Sequence, residues 1–115
     1  MLKTIKKLYE QLIRERYADT AYGEYPLQNK SFISSNAVHL GQPVTICLNA
    51  RGGTGKYKYE VFTRKKYENN WHPLTFDGSS SFEYKPGHYA MYELCIHASD
   101  QNNVLKKQYF EFIVH

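Results

Sequence analysis

Cysteine is scarce in this sequence, with 2 among 115 residues. Two thiols cannot build the disulfide framework that staples small secreted domains, so a folded state must rest on a hydrophobic core. Long apolar runs are also missing; nothing approaches the roughly 20 residues that cross a bilayer as a helix, and no membrane span is expected. An excess of one charge sign is missing too. The 15 Lys and Arg outnumber the 11 Asp and Glu by a net +4, with six basic and four acidic groups in residues 1–30 and nine and seven in residues 31–115. So even a spread argues against a nucleic-acid tail or a membrane-binding arm. No internal repeat and no low-complexity tract is present.

Chemical signatures are equally thin. The five histidines (39, 72, 88, 97 and 115) show no paired ligand spacing with Cys47 or Cys95, and no metal site or other cofactor is expected. Cys95-x-His97 puts two ligand types on one strand face, short of a full set. Neither cysteine has a local base signature that would make it a nucleophile, so no enzyme is expected. Asp77 before Gly78 is turn chemistry. Asn29-Lys30-Ser31 matches a glycosylation acceptor triplet.

The stretch "ARGGTGKYKYE", residues 50–60, looks like a phosphate-binding loop. That motif needs a glycine five residues before Gly55, where Ala50 stands, and the short hydroxyl side chain of Ser or Thr after Lys56, where Tyr57 stands. It also needs a following helix, whose N-terminus faces the anion. Instead Tyr57, Tyr59 and Val61 alternate with Lys58, Glu60 and Phe62, which is the period of a strand. Val44, Ile46 and Leu48 alternate in the same way before the loop. The glycines are read as a turn with positive φ between two strands.

What is abundant is aromatic: 11 Tyr, 6 Phe and 1 Trp. Tyrosine suits half-buried strand surfaces, where the ring packs and the hydroxyl stays wet. Residues 1–18 carry a different period. Ile5, Leu8 and Leu12, with Leu2, Tyr9 and Ile13, recur at helical spacing. They predict an amphipathic helix whose stripe is covered by its own domain, a second copy or a partner protein. Residues 19–30, with Gly23 and Pro26, read as a connection. From residue 31 the pattern alternates, with strands expected over 31–35, 43–49, 56–64, 71–75, 80–84, 89–98 and 107–114. Seven short strands in residues 31–115 predict a mainly β antiparallel sandwich domain.

From Tyr57 onward the chain resembles the triple-tyrosine (three-Y) module of bacterial proteins, an immunoglobulin- or fibronectin-III-like sandwich. The family pattern is Y-x-Y, a Trp after the next turn, Pro-Gly, a Tyr-led alternating strand, and a small residue before a polar turn. Here those positions are Tyr57 and Tyr59, Trp71, Pro86-Gly87, Tyr89 or Tyr92, and Ala98 before "SDQNN"; the resemblance spans residues 44–114. Tyr89 follows Pro-Gly as in the family, yet the stripe that reaches Ala98 starts at Tyr92, which a bulge or a short insertion near "HYAMY" would reconcile. The resemblance implies a non-catalytic module and a Trp71 that plugs the sandwich edge.

The expected function is therefore a binding or interaction module. It would act through sandwich loops, a sheet edge or the helix, with a protein partner or self-association. The alternative is a nucleic-acid or polysaccharide binder using "TRKKYENNWHP", where Arg64, Lys65, Lys66, Tyr67 and Trp71 set cations and aromatics in or beside a hairpin loop. The N-terminal residues begin basic but hold no continuous apolar core. They predict no secretory signal and a cytoplasmic chain, or an extracytoplasmic one if it was cut from a larger exported protein.

Overall fold

Among the described residues, ten strands form where apolar and polar residues alternate and stop where Gly, Pro, Asn and Asp gather. The structure, a computed structural model, describes residues 25–115. The strands are β1 (Gln28–Asn29), β2 (Phe32–Ile33), β3 (Ala37–Val38), β4 (Val44–Cys47), β5 (Ala50–Arg51), β6 (Tyr57–Lys65), β7 (His72–Leu74), β8 (Ser81–Tyr84), β9 (Ala90–Asp100) and β10 (Leu105–Val114). The expected helix with Ile5, Leu8 and Leu12 lies outside the described residues.

The strands make a five-stranded sheet in the order β3-β10-β9-β6-β7, a three-stranded sheet β2-β4-β8, and a small pair β1-β5. Neighbours run antiparallel except β3, which lies parallel to β10. The two larger sheets share one core in a sandwich-like, mainly β arrangement. Val44, Ile46 and Leu48 from one side meet Val61, Leu94, Ile96 and Phe112 from the other. Six of these side chains are under 2 % exposed, and each such burial stabilises by about 1.5–3 kcal/mol. Tyr57 and Tyr59 pack at one end over Leu27, Ala50 and Ala98.

The long strands fall where alternation predicts them, and the expected bulge does not occur. β9 pairs with β10 without interruption from Ala90 to Ser99, and Tyr92 pairs with Lys65 of β6. Tyr92 is the buried lead tyrosine, at 5 % exposure, and Tyr89 is 68 % exposed just outside the ladder. The Tyr92 hydroxyl donates to the His88 carbonyl at 3.0 Å, which fastens the Pro-Gly turn to the strand.

The connection expected over 19–30 ends in structure. β1 pairs with β5, and Asn29 is 8 % exposed. Its Nδ2 donates to the carbonyls of Ile96 (2.9 Å) and Lys106 (3.1 Å), and its Oδ1 accepts from the Ser31 amide at 3.1 Å. An Asn whose amide is spent this way is a structural stitch; in the folded chain the triplet at 29–31 presents no glycan acceptor.

"RGGTG" is a turn with a packing role. Gly52 and Gly53 have φ of 75° and 57°. A Cβ on Gly52 would overlap the Pro26 carbonyl oxygen, and one on Gly53 would overlap the Asp100 carboxylate. The Gly53 amide donates to the Tyr25 carbonyl at 2.9 Å, and the Tyr57 hydroxyl donates to the Gly52 carbonyl at 2.8 Å. The Gly53 amide, a group that a phosphate motif would offer to the anion, thus holds the incoming chain, while the Gly52 carbonyl holds the next strand.

Candidate functional site: the outer face of the five-stranded sheet

Because side chains alternate, a strand that gives one set of residues to the core gives the other set to the outside. On the outer face, cross-strand register builds rows. Phe62, Cys95 and Tyr109 form one row, Arg64, Glu93 and Glu111 the next, and Glu60, His97 and Lys107 the row on the other side. Trp71 stands one residue beyond the Thr63–His72 pair, just before edge strand β7 begins.

This register separates the residues of the expected basic aromatic loop. Arg64 and Lys65 belong to β6 and not to a hairpin loop, so they point to opposite faces. Only Arg64 joins Trp71: its guanidinium carbon lies 4.2 Å above the indole centroid, a cation–π contact worth about 0.5–1 kcal/mol at a partly exposed position. The same guanidinium donates from Nε to Glu93 Oε1 at 2.7 Å. Lys66 pairs with Glu111 at 3.2 Å; the Glu111 carboxylate, as hydrogen-bond partner and opposite charge, raises its pKa. Lys65 is exposed. Tyr67 is 90 % exposed at the turn tip, where its φ is 78°.

Trp71 does not fill the interior. It belongs to neither core cluster and is half-buried on the outer face. Its ring lies 6.4 Å from that of Tyr109, tilted by 51°. Tyr109 is 61 % exposed. Two clefts share this ring pair. One, of about 190 Å³, is also lined by Phe62, Cys95, His97 and Lys107. The other, of about 180 Å³, is bordered by Arg64, Glu93 and Glu111. Phe62 and His97 close one flank with rings 4.9 Å apart.

Cys95 forms part of the floor at 4 % exposure, although it points away from the core. Burial raises its pKa, against a hydrogen bond with Tyr109 and the charge of Lys107. The thiol therefore stays protonated at neutral pH and is a weak nucleophile. Both cysteines are free: Cys47 alternates with the core residues Ile46 and Leu48 on the three-stranded sheet, and Cys95 with Leu94 and Ile96 on the five-stranded one, so both point away from the shared core. Burial lowers the pKa of His97, and the Lys107 charge lowers it further against an opposing pull from Glu60. His97 is neutral at pH 7, with both hydrogen-bonding functions available.

Among the described residues, no group of three or more His, Cys, Asp or Glu could hold a metal ion, and no helix is long and apolar enough to cross a membrane. Tyr109, Phe62, Glu93, His97 and Lys107 were not legible as site residues. Alternation places each on a polar face, but only the register of three separate strands brings them together. No protein-family model matches the chain and no curated protein matches it, so the functional reading rests on the chemistry of this outer face.

Proposed function

We propose that the chain is a non-catalytic binding module, built as an immunoglobulin-like sandwich of the triple-tyrosine kind, whose binding face is the outer surface around Trp71 and Tyr109. The observation that carries this reading is the position of the lone tryptophan. It lies outside the core, under Arg64 and beside a 61 % exposed tyrosine, with a cleft on either side. Tyr109 is borne by β10 and Trp71 is held beside it by the Arg64 guanidinium, and aromatics fixed in this way lose less entropy on binding than free loop residues. The protonated thiol of Cys95 supports binding over catalysis. A sheet edge is the weaker candidate surface. β3 has two residues, and β7 has three, with Pro73 at its centre lacking a backbone donor.

A second reading places a protein partner at the loop end. The 90 % exposed Tyr67 and 68 % exposed Tyr89 stand there, joined through the Lys66 amide, which donates to the Met91 carbonyl at 2.8 Å. Rigid exposed tyrosines are effective protein-contact residues.

The test presents the full chain to arrays of peptides, glycans and single-stranded oligonucleotides, with Tyr109→Ala and Tyr67→Ala as variants. One ligand class is expected to be retained by the natural chain and by Tyr67→Ala but lost by Tyr109→Ala. Retention lost only by Tyr67→Ala overturns the outer-face site in favour of the loop end, and no retention on any array overturns the binding-module reading.

A further inference from the structure

We infer that the Trp71–Tyr109 face is a carbohydrate site, shaped for a short run of pyranose rings; this rests on the binding-module reading and names its ligand class. Size comes first. Four strands about 4.8 Å apart span about 14 Å, and the four residue steps from Glu60 to Arg64, at about 3.3 Å each, span about 13 Å, which gives a patch of roughly 200 Å². A stable protein interface buries about 800 Å² per partner. The aromatic patch suits a ligand a few rings long.

Charge narrows the class. A nucleic acid needs unneutralised cations along its phosphate track. Here Arg64 is held by Glu93 at 2.7 Å and Lys66 by Glu111 at 3.2 Å, and Glu60 lies in the row of Lys107. Arg64 and Lys66 are thus matched by carboxylates that would repel a phosphodiester, and Lys107 alone is too short a track for one. A neutral, hydroxyl-rich ligand meets no such penalty. It finds carboxylate acceptors at Glu93 and Glu111, a donor at Lys107 and a neutral imidazole at His97 that offers both functions.

Shape completes the assignment. A pyranose with equatorial hydroxyls presents a flat C–H face that stacks on an aromatic ring, while its hydroxyls point sideways to polar groups. Arg64 caps one face of the indole and Tyr109 packs against it with ring centroids 6.4 Å apart, so stacking falls to the outward face of the exposed Tyr109 ring. The clefts of about 190 and 180 Å³ lie on either side of this ring pair and share both rings. Adjacent sugars of one chain can occupy both while crossing the pair. The floor, Phe62 and Cys95, is apolar, as the lining of a small-ligand site is.

The chain holds one tryptophan, so its fluorescence reports directly on this face. The full chain is titrated with cellohexaose and chitohexaose, whose rings have equatorial hydroxyls or acetamides, and with oligothymidylate dT12. Calorimetry runs in parallel. A saturable shift in Trp71 emission is expected with at least one hexaose, little changed between low and high salt. Tyr109→Ala should weaken it by about tenfold, equivalent to roughly 1.4 kcal/mol, with the variant still folded by circular dichroism at the titration temperature. Binding of dT12 alone, falling steeply with salt, overturns the sugar assignment and leaves the binding module standing. Absence of binding to either hexaose in both measurements also overturns the assignment, and the array experiment then decides the module separately. Hexaose binding that survives Tyr109→Ala unchanged overturns the placement.

Discussion

A tryptophan in a small β-domain is held either by the core or by its neighbours on the surface, and the two leave different thermodynamic traces. Leu94 is completely buried among core side chains. Truncating it to alanine removes transfer energy and leaves a cavity, at a cost of about 2–5 kcal/mol. Trp71 is half-buried and packs on Arg64 and Tyr109. Its truncation loses part of a large apolar burial and one cation–π contact, together about 1–2 kcal/mol. Urea unfolding followed by circular dichroism should therefore rank Leu94→Ala well below Trp71→Ala in stability. The reverse order would make Trp71 a pillar of the fold and remove its claim to be a binding residue. Arg64→Lys is a finer probe of the same site, since an ammonium keeps the charge but loses the planar fork that lies on the indole and reaches Glu93 together.

Among the elements, the glycine turn between β5 and β6 separates two causes of glycine dependence. Gly52 has a φ of 75° and faces the Pro26 carbonyl; Gly78, between β7 and β8, has a φ of 89° with nothing within 4 Å of its added Cβ. Gly78→Ala should cost only the left-handed strain, about 1–2 kcal/mol. Gly52→Ala adds a backbone overlap that pushes away the segment carrying Leu27 and Asn29, so its melting temperature should fall further; equal losses would show that the Pro26 contact is unimportant. The same contact marks where sequence reading stops. The long strands β4, β6, β9 and β10 are legible because each alternates over four or more residues. β1, β3 and β5 are two residues each, too short for any period, and exist because partners elsewhere in the chain supply their hydrogen bonds. Asn29 shows the point: it reads as a surface triplet, yet its amide joins β9 to β10. The site divided in the same way. Trp71 and Arg64 were legible as aromatic and cation, but their meeting with Tyr109 needed the register of β6, β9 and β10. The parity of one residue then sent Lys65 to the other side.

For the molecule as a whole, the outer face couples stability to pH through His97. The imidazole sits against Phe62 in the row of Glu60 and Lys107, and its folded-state pKa lies below the ordinary value because burial disfavours the cation and Lys107 repels it. In the unfolded chain the group titrates near pH 6.5 (about the model-peptide value). Above that pH His97 is neutral in both states and its protonation does not oppose folding. As pH falls through the unfolded value toward the folded one, the unfolded chain takes up a proton that the folded chain resists, and stability declines. His97→Gln keeps a polar side chain and removes the titration. Urea midpoints of the natural chain and the variant, compared at about pH 7.5 and about pH 5.5, should show a steeper loss for the natural chain. Burial is the larger cause of the shift and the Lys107 charge the smaller, so high salt should screen the repulsion and leave most of the difference in place. Parallel pH profiles would mean that the imidazole is as well hydrated folded as unfolded, and that the slot between Phe62 and Lys107 is open water. A difference abolished by salt would mean that Lys107 alone sets the shift, leaving His97 on a surface too wet to hold a ligand's hydroxyl by a sheltered hydrogen bond.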